Sequence, residues 1–97
     1  MGRTLIVRYR THPEAADENA RLIANVFASL AELAPDGFDY SSYRLADGVS
    51  FVHVASLDGD DNPLAGLPAF AEFQRDLPAR CAEPPVASEA AVVGAYP

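Results

Sequence analysis

The chain has 97 residues, of which 49% are hydrophobic, and its formal net charge is −7. We expect one domain over residues 1–97, and a chain this short buries only about 60–65% of its unfolded surface, so a second source of buried area would matter. The apolar content is typical of a globular protein, and no apolar run reaches the roughly 18–20 residues that span a bilayer. The composition therefore excludes a disordered chain and a membrane-spanning helix.

All seven basic residues are arginines, and only Arg8 and Arg10 lie close together in the sequence. Binding to DNA or RNA requires a concentrated positive surface that neutralises phosphates, and an acidic chain with scattered arginines does not provide one. We therefore exclude nucleic acids and membranes as partners.

Cys81 is the only cysteine, which excludes an intramolecular disulfide and a zinc or iron–sulfur site built from several cysteines. The start, MGRTLIVRYR, lacks the pattern of a signal peptide, so we expect a cytoplasmic protein. Near the end of a predicted helix, Cys81 is expected to be a small buried apolar residue.

The first half of the chain predicts a strand followed by a helix. Residues 4–11 alternate with period two, and the sequence Thr11-His12-Pro13-Glu14 matches a capping box that would begin the helix. The turn sequence APDG at residues 34–37 then ends it. The helix carries one apolar stripe: Leu22, Ile23, Val26, Phe27, Leu30 and Leu33.

The second half predicts three strands and one helix. Residues 38–57 form two antiparallel strands joined by a tight turn at Asp47-Gly48. A helix with Pro68 in its first turn is ended or kinked by Pro78. After the Pro84-Pro85 break, residues 87–96 form the last strand. One face of this helix carries Leu67, Phe70, Phe73, Leu77 and Cys81.

The predicted order βαββαβ is a ferredoxin-like α+β fold, with a four-stranded antiparallel sheet and both helices on one face. Three strands nevertheless carry apolar residues on both faces, for example Phe51 opposite Val52 and Val92 opposite Val93. Two helices cover only one face, and an exposed apolar face marks an interface. We therefore expect a homodimer through the sheet face.

The element patterns resemble a known superfamily. The Arg8-Tyr9-Arg10 element ends the first strand, the first helix has the pattern AxxIxxxFxxL from Ala20, and residues 69–77 read AFxxFQxxL before a closing VxxxY strand that ends at Tyr96. Together they are similar to the dimeric α+β barrel superfamily, and to its antibiotic-biosynthesis monooxygenase-like domains in particular. The similarity covers nearly the whole chain and is carried by pattern rather than by one diagnostic motif.

The resemblance implies two protomers packed sheet against sheet, and it includes monooxygenases that use no metal or flavin. It also includes haem-degrading enzymes, whose pattern combines an asparagine, a tryptophan and a helical histidine. This chain has no tryptophan, and its two histidines are His12 and His53, so we expect no haem and no other cofactor.

An acidic loop follows the third strand. Asp58, Asp60 and Asn62 have the spacing of the first ligands of a calcium loop, but Pro63 replaces the glycine at the sixth position and Ala69 replaces the glutamate at the twelfth. We therefore interpret the loop as a solvated turn and predict no metal site.

The candidate site centres on His53, which alternation places on the face of Phe51 and away from Val52. Two readings of His53 stay open: a hydrogen-bonded core or interface residue, or an acid–base catalyst, since imidazole titrates near neutral pH. In the catalytic reading Tyr9, Tyr43, Arg44 and Phe51 bind the substrate, and Tyr40 is a further aromatic residue available to the pocket. His12 is expected at the surface.

Two functional classes therefore remain. One is a cofactor-free monooxygenase or isomerase that acts on a small apolar or aromatic metabolite, with His53 as the acid–base group. The other is a non-catalytic dimeric module that binds a small ligand or serves in assembly. A pocket lined by convergent polar groups would favour the first class, and a filled core the second.

Overall fold

One antiparallel sheet and the helices that pack on it make up the computed structural model, which describes residues 2–59 and 61–97. The strands lie in the order β2-β3-β1-β4, and every neighbouring pair is antiparallel. This confirms the predicted ferredoxin-like α+β fold. The strands are β1 (Arg3–Thr11), β2 (Phe38–Arg44), β3 (Ser50–Leu57) and β4 (Cys81–Ala90); the helices are α1 (Ala16–Leu33), α2 (Pro68–Arg75) and α3 (Leu77–Arg80), with 3₁₀ turns at Pro13–Ala15 and Pro63–Gly66.

The hydrophobic core lies between the helices and one face of the sheet. Tyr9 of β1 and Phe51 of β3 are directly paired and are both buried, as the alternation of the two strands predicts. The apolar stripe of α1 packs on this face, so the core forms between sheet and helices without a second sheet. Its buried members are Tyr9, Ala16, Leu22, Val26, Phe51, Leu64, Phe73 and Leu77.

The start of α1 differs from the predicted capping box. Thr11 belongs to β1, and its hydroxyl donates to the carbonyl of Val49 rather than capping a helix. A 3₁₀ turn at Pro13–Ala15 comes first, and α1 begins at Ala16 with no side-chain cap. The prediction of a capping box was wrong because pairing within the sheet extends through Thr11 and uses that hydroxyl. The end of α1 at Leu33, just before APDG, is confirmed.

The turn between β2 and β3 is longer than predicted. Five residues, 45–49, connect the strands, and of the Asp47-Gly48 pair only Gly48 has a positive φ, at 79°. The Asp47 carboxylate accepts hydrogen bonds from the Ser50 hydroxyl and from the backbone N–H groups of Val49 and Ser50. These hydrogen bonds lower the pKa of Asp47. Side-chain hydrogen bonding therefore closes a loop wider than a two-residue turn.

The predicted second helix is interrupted. It ends at Arg75 and resumes as the single turn α3, with Pro78 in the first turn of α3, so the kink precedes this proline. Cys81 begins β4 rather than ending a helix, and it is half-buried at the edge of the core. Burial raises the pKa of its thiol.

The last strand was predicted at the wrong residues. It runs over Cys81–Ala90 and includes Pro84 and Pro85, whereas residues 91–97 form no strand, so the VxxxY pattern lies outside it. β4 is an edge strand that pairs only with β1, and its register shifts between the partners of Arg8 and Arg10, where the prolines lie. Proline lacks an N–H group and is tolerated at such edges and bulges.

The second face of the sheet carries no helix, and we call it the free face. Four of its apolar side chains lie on three strands: Ile6 on β1, Val52 and Val54 on β3, and Val86 on β4. Arg8 lies between Val52 and Val86, and the ion pair of Arg10 with Glu83 lies beyond them on the same face. Among the described residues, no helix has the length and apolarity needed to cross a membrane.

Candidate functional site

His53 lies in the middle of β3 and faces the helices, where it is 5% exposed. Its Nε2 lies 2.8 Å from the Tyr9 hydroxyl. Its Nδ1 lies 2.6 Å from the Ser42 hydroxyl and 3.1 Å from the Tyr40 hydroxyl. Both ring nitrogens are therefore bonded to hydroxyl groups on the neighbouring strands β1 and β2.

A second pair of buried polar residues extends this cluster across the core. Arg80 of α3 donates from Nε to Oδ1 of Asn19, at 3.0 Å, and Asn19 of α1 donates from Nδ2 to the Tyr9 hydroxyl, at 2.9 Å. We call the connected set Arg80, Asn19, Tyr9, His53, Ser42 and Tyr40 the buried polar chain. It joins two helices to three strands.

Arg80 determines the direction of every hydrogen bond in the buried polar chain. A guanidinium only donates, so the oxygen of the Asn19 amide must face Arg80, and its NH₂ group must face Tyr9. Tyr9 then accepts from Asn19 and donates its own proton to Nε2 of His53. Neutral His53 therefore carries its proton on Nδ1 and donates it to Ser42 or Tyr40.

Burial determines the protonation states of the titratable groups in the buried polar chain. It lowers the pKa of His53 to about 4, so the imidazole is neutral at pH 7. Burial also raises the pKa of Tyr9, although the hydrogen bond from Asn19 opposes this, and it raises the pKa of Tyr40. Both phenols therefore keep their protons and remain available as donors.

Arg80 is a buried cation, only 6% exposed. Nη2 donates to the carbonyl of Phe73 at 2.6 Å, and the guanidinium carbon lies 5.3 Å from the Phe73 ring centre. Among residues 2–59 and 61–97, no carboxylate lies within 4.0 Å of this guanidinium. The buried polar chain therefore has an uncompensated positive charge at one end, which favours negative charge further along it.

The structure brings some of the predicted site residues together and separates others. Tyr9 stacks on His53 at a centroid distance of 5.3 Å, and Phe51 stacks on Tyr9 at 5.6 Å. Arg44 is exposed, pairs with Asp17 at 3.1 Å and lies 5.7 Å from the Phe51 ring centre. Tyr43 is 54% exposed and points to the free face, away from His53.

Three members of the buried polar chain, Asn19, Ser42 and Arg80, were not predicted from the sequence. Two signals could have found two of them, because Asn19 occupies a core-facing position three residues before Leu22, and Arg80 follows Leu77 at the same spacing. A polar residue in an apolar stripe needs a buried partner. His12, in contrast, is exposed, as expected, and stays outside the buried polar chain.

Two grooves lie near the site. One, of about 410 Å³, is lined by residues that include Phe27, Phe38 and Tyr40, and the Tyr40 ring stacks on both phenylalanines. The other, of about 580 Å³, lies on the free face. Tyr40 is the link between the first groove and the buried polar chain, because its ring lines the groove and its hydroxyl contacts His53.

The acidic loop after β3 is described except for Asp60, which lies outside the described residues. The Asn62 side chain accepts from the backbone N–H of Leu64, at 3.0 Å, and so caps the following 3₁₀ turn. Among the residues that the structure describes, no group of three His, Cys, Asp or Glu side chains could hold a metal ion.

Comparison with known proteins shows a consistent structural likeness. The protein Rv0793 from Mycobacterium tuberculosis superposes with a TM-score of 0.78 at 19% identity, and each chain is covered completely. A proposed antibiotic biosynthesis monooxygenase from Nitrosomonas europaea gives 0.77 at 11% identity, covering 95% of this chain and 90% of the other. A single-residue mutant of SnoaB from Streptomyces nogalater, a cofactor-independent oxygenase, gives 0.71 at 21% identity, covering 99% and 97%.

No protein-family model and no curated protein sequence matches the chain. The comparison therefore rests on solved structures, and sequence identities this low establish a shared fold and nothing more. The chain has the fold of these antibiotic biosynthesis monooxygenase-like structures. This agrees with the resemblance found in the sequence.

Proposed function

We propose that this protein is a cofactor-independent oxygenase that acts on a small apolar or aromatic metabolite. The observation that carries the proposal is the position of Tyr40, which lines an aromatic groove and contacts His53 at 3.1 Å. The likeness to a cofactor-independent oxygenase supports the class of reaction. A cytoplasmic location goes with the proposal, because Cys81 has no second cysteine with which to form a disulfide.

The proposed substrate lies against the rings of Phe27 and Phe38, next to Tyr40. Reaction of an organic molecule with oxygen without a metal or flavin starts from an electron-rich anion, which forms when the substrate loses a proton. The hydroxyl of Tyr40, which accepts the Nδ1 proton of neutral His53, is proposed to donate its own proton to the oxygen of that anion and so to stabilise it, while the proton that the substrate loses passes to water in the open groove. Tyr9 stacks on the imidazole and holds it in place from the other side, and Phe51 in turn stacks on Tyr9.

The test uses oxygen consumption with a panel of hydroxylated naphthalenes and anthracenes, which fit an aromatic groove. We expect uptake by the wild type, and a loss of about a hundredfold or more in His53→Phe, because the Tyr40 hydroxyl then loses the donor that polarises it toward the substrate anion. His12→Gln is the matched control, because it removes the exposed histidine and should retain full activity. Unchanged uptake in His53→Phe would contradict the proposed role of His53.

The proposal also includes a homodimer through the free face. Ile6, Val52, Val54 and Val86 form an apolar patch that two helices leave uncovered, with Arg8 between Val52 and Val86, and an uncovered apolar face marks an interface. A stable dimer of this kind buries about 1,200–2,000 Å² in total. We expect dimers in sedimentation experiments at micromolar concentration and monomers for Val52→Asp. Wild-type protein that stays monomeric would refute the homodimer.

A second candidate function is a non-catalytic dimeric module that binds a small ligand or serves in assembly. One observation favours it: His53 lines neither groove, and among the described residues every buried side-chain nitrogen and oxygen has a hydrogen-bond partner. Calorimetric binding of a panel compound without oxygen uptake, unaffected by His53→Phe, would select this candidate.

A further inference from the structure

One proton of the imidazole faces two hydroxyl groups. Tyr40 and Ser42 lie two residues apart on β2, so their side chains share one face of the sheet, and both hydroxyls contact Nδ1 of His53. The distance is 2.6 Å to Ser42 and 3.1 Å to Tyr40. Because neutral His53 has a single proton on Nδ1, the shorter contact takes the larger share of that proton and Tyr40 receives the smaller share.

The Ser42 hydroxyl then has a proton of its own to donate. Nδ1 of His53 already carries a proton and cannot accept another. The oxygen of Tyr40 contacts the same nitrogen from the same strand, which places it to accept from Ser42. A hydroxyl that accepts from an N–H group becomes a stronger donor, and this favours the direction from Ser42 to Tyr40. Burial raises the pKa of Tyr40, and the hydrogen bond from Ser42 lowers it.

Tyr40 has only one direction left for its own proton. Its oxygen accepts from Ser42 and from Nδ1 of His53, and neither group can accept in return, since each already points a proton at Tyr40. The Tyr40 ring lines the aromatic groove, whereas Ser42 and His53 do not line it. The phenol proton therefore points away from the buried polar chain and toward whatever occupies the groove.

We propose that Ser42 is a positioning residue, which accepts the hydrogen bond of His53 and passes it to Tyr40, so that the proton of Tyr40 is directed into the groove. We call the series His53, Ser42 and Tyr40 the hydroxyl relay. The inference rests on the proposed function and adds a residue to it. Ser42 touches no substrate, and it acts by making Tyr40 a stronger donor to the oxygen of the substrate anion.

The first experiment measures the pKa of Tyr40 and needs no substrate. Replacing the four tyrosines by 3-fluorotyrosine makes their phenols titrate at lower pH, fluorine NMR follows each of them, and Tyr40→Phe assigns the signal. We expect a higher pKa for Tyr40 in Ser42→Ala than in wild type, because one of two donors to the phenolate is lost. Ser41→Ala is the matched control and should change nothing, since Ser41 faces the other side of the sheet.

The second experiment measures oxygen uptake with a panel compound that the wild type oxidises. Ser42→Ala should lower kcat by about fivefold, the rate equivalent of one ordinary hydrogen bond. KM should stay within about twofold, because Ser42 does not line the groove. A merely structural serine would not produce this split together with a shifted Tyr40 titration.

A pair of variants of equal shape keeps the test decisive if Ser42→Ala folds poorly. Ser42→Thr keeps the hydroxyl and Ser42→Val lacks it, and both residues suit a strand. A raised pKa of Tyr40 and a lowered kcat in Ser42→Val, with both values restored in Ser42→Thr, would support the hydroxyl relay.

The other outcomes separate the hydroxyl relay from the oxygenase itself. A Tyr40 pKa that is unchanged or lower in Ser42→Ala and in Ser42→Val would refute the relay, whatever the activity. A higher kcat in these two variants would mean that Tyr40 donates to Ser42 in the wild type, which overturns the proposed direction. Wild-type protein that consumes no oxygen with any panel compound would refute the proposed function, and the positioning role with it, even where the Tyr40 pKa responds as expected.

Discussion

Arg80 and His53 do not touch, yet the guanidinium of Arg80 determines which nitrogen of His53 carries the proton. The influence passes through Asn19 and Tyr9, because each hydrogen bond in the series has only one possible direction once the arginine donates. The core therefore holds an imidazole in a single tautomer, with Nδ1 protonated and Nε2 accepting.

This relationship predicts the effect of Asn19→Asp. The new carboxylate can only accept, so the Tyr9 hydroxyl should donate its hydrogen bond to this carboxylate instead of to His53. Tyr9 is then left to accept a hydrogen bond from His53. The bonds beyond Asn19 then reverse, and His53 should carry its proton on Nε2. Nitrogen-15 NMR of the imidazole distinguishes the two tautomers. Asn25→Asp, on the exposed side of α1, is the control and should keep the wild-type tautomer; the same tautomer in both variants would contradict the directed chain.

The lowered pKa of His53 predicts a loss of stability in mild acid. The unfolded chain binds a proton on this histidine near pH 6.5, whereas the folded chain does so only near pH 4. The stabilisation is therefore complete above pH 6.5 and is lost as the pH falls toward 4. At pH 5 the loss relative to pH 7 is about 2 kcal/mol.

Urea unfolding at pH 7 and pH 5 measures this loss. His53→Phe should show less of it than wild type, by about 2 kcal/mol, since the titrating group is gone. His12→Gln removes the exposed histidine and should retain the wild-type pH dependence. Equal pH dependence in all three proteins would show that His53 does not titrate as its burial requires.

A pair of neighbouring serines tests the other side of the imidazole. Ser42 lies 2.6 Å from Nδ1 of His53, whereas Ser41 faces the opposite side of the sheet. Ser42→Ala should lower the free energy of unfolding by about 1 kcal/mol, and Tyr40 then remains as the acceptor. Ser41→Ala should change it by less than about 0.5 kcal/mol. Chemical denaturation of the two variants gives the comparison, and equal effects would argue against a bond from His53 to Ser42.

A glycine outside the site tests the backbone of the turn after α1. Gly37 has φ +68°, and a Cβ atom there would lie 3.1 Å from Cβ and Oδ2 of Asp58. Gly37→Ala should therefore cost about 1–2 kcal/mol, mostly from the left-handed backbone. Gly66→Ala meets open space and should be neutral or slightly stabilising. Melting temperatures of the two variants check this, and a neutral Gly37→Ala would contradict it.

The sequence alone determined the elements that carry a strong period. Alternation in residues 51–57 placed Phe51 and His53 on one face, and the apolar stripe of α1 predicted the helix and its end before residues 34–37. Such patterns are local, because each strand or helix must bury one face whatever lies opposite it. They were enough to predict the order of the elements and the ferredoxin-like fold.

Only the tertiary structure decided where β4 lies and what His53 touches. Prolines 84 and 85 argue against a strand locally, but they are tolerated because β4 pairs on one side only, and edge position is a property of the whole sheet. Asn19 and Arg80 are 61 residues apart in sequence and meet in the core. A buried guanidinium and amide need donors and acceptors that only the folded chain brings together, so their pairing has no local period from which it could be predicted.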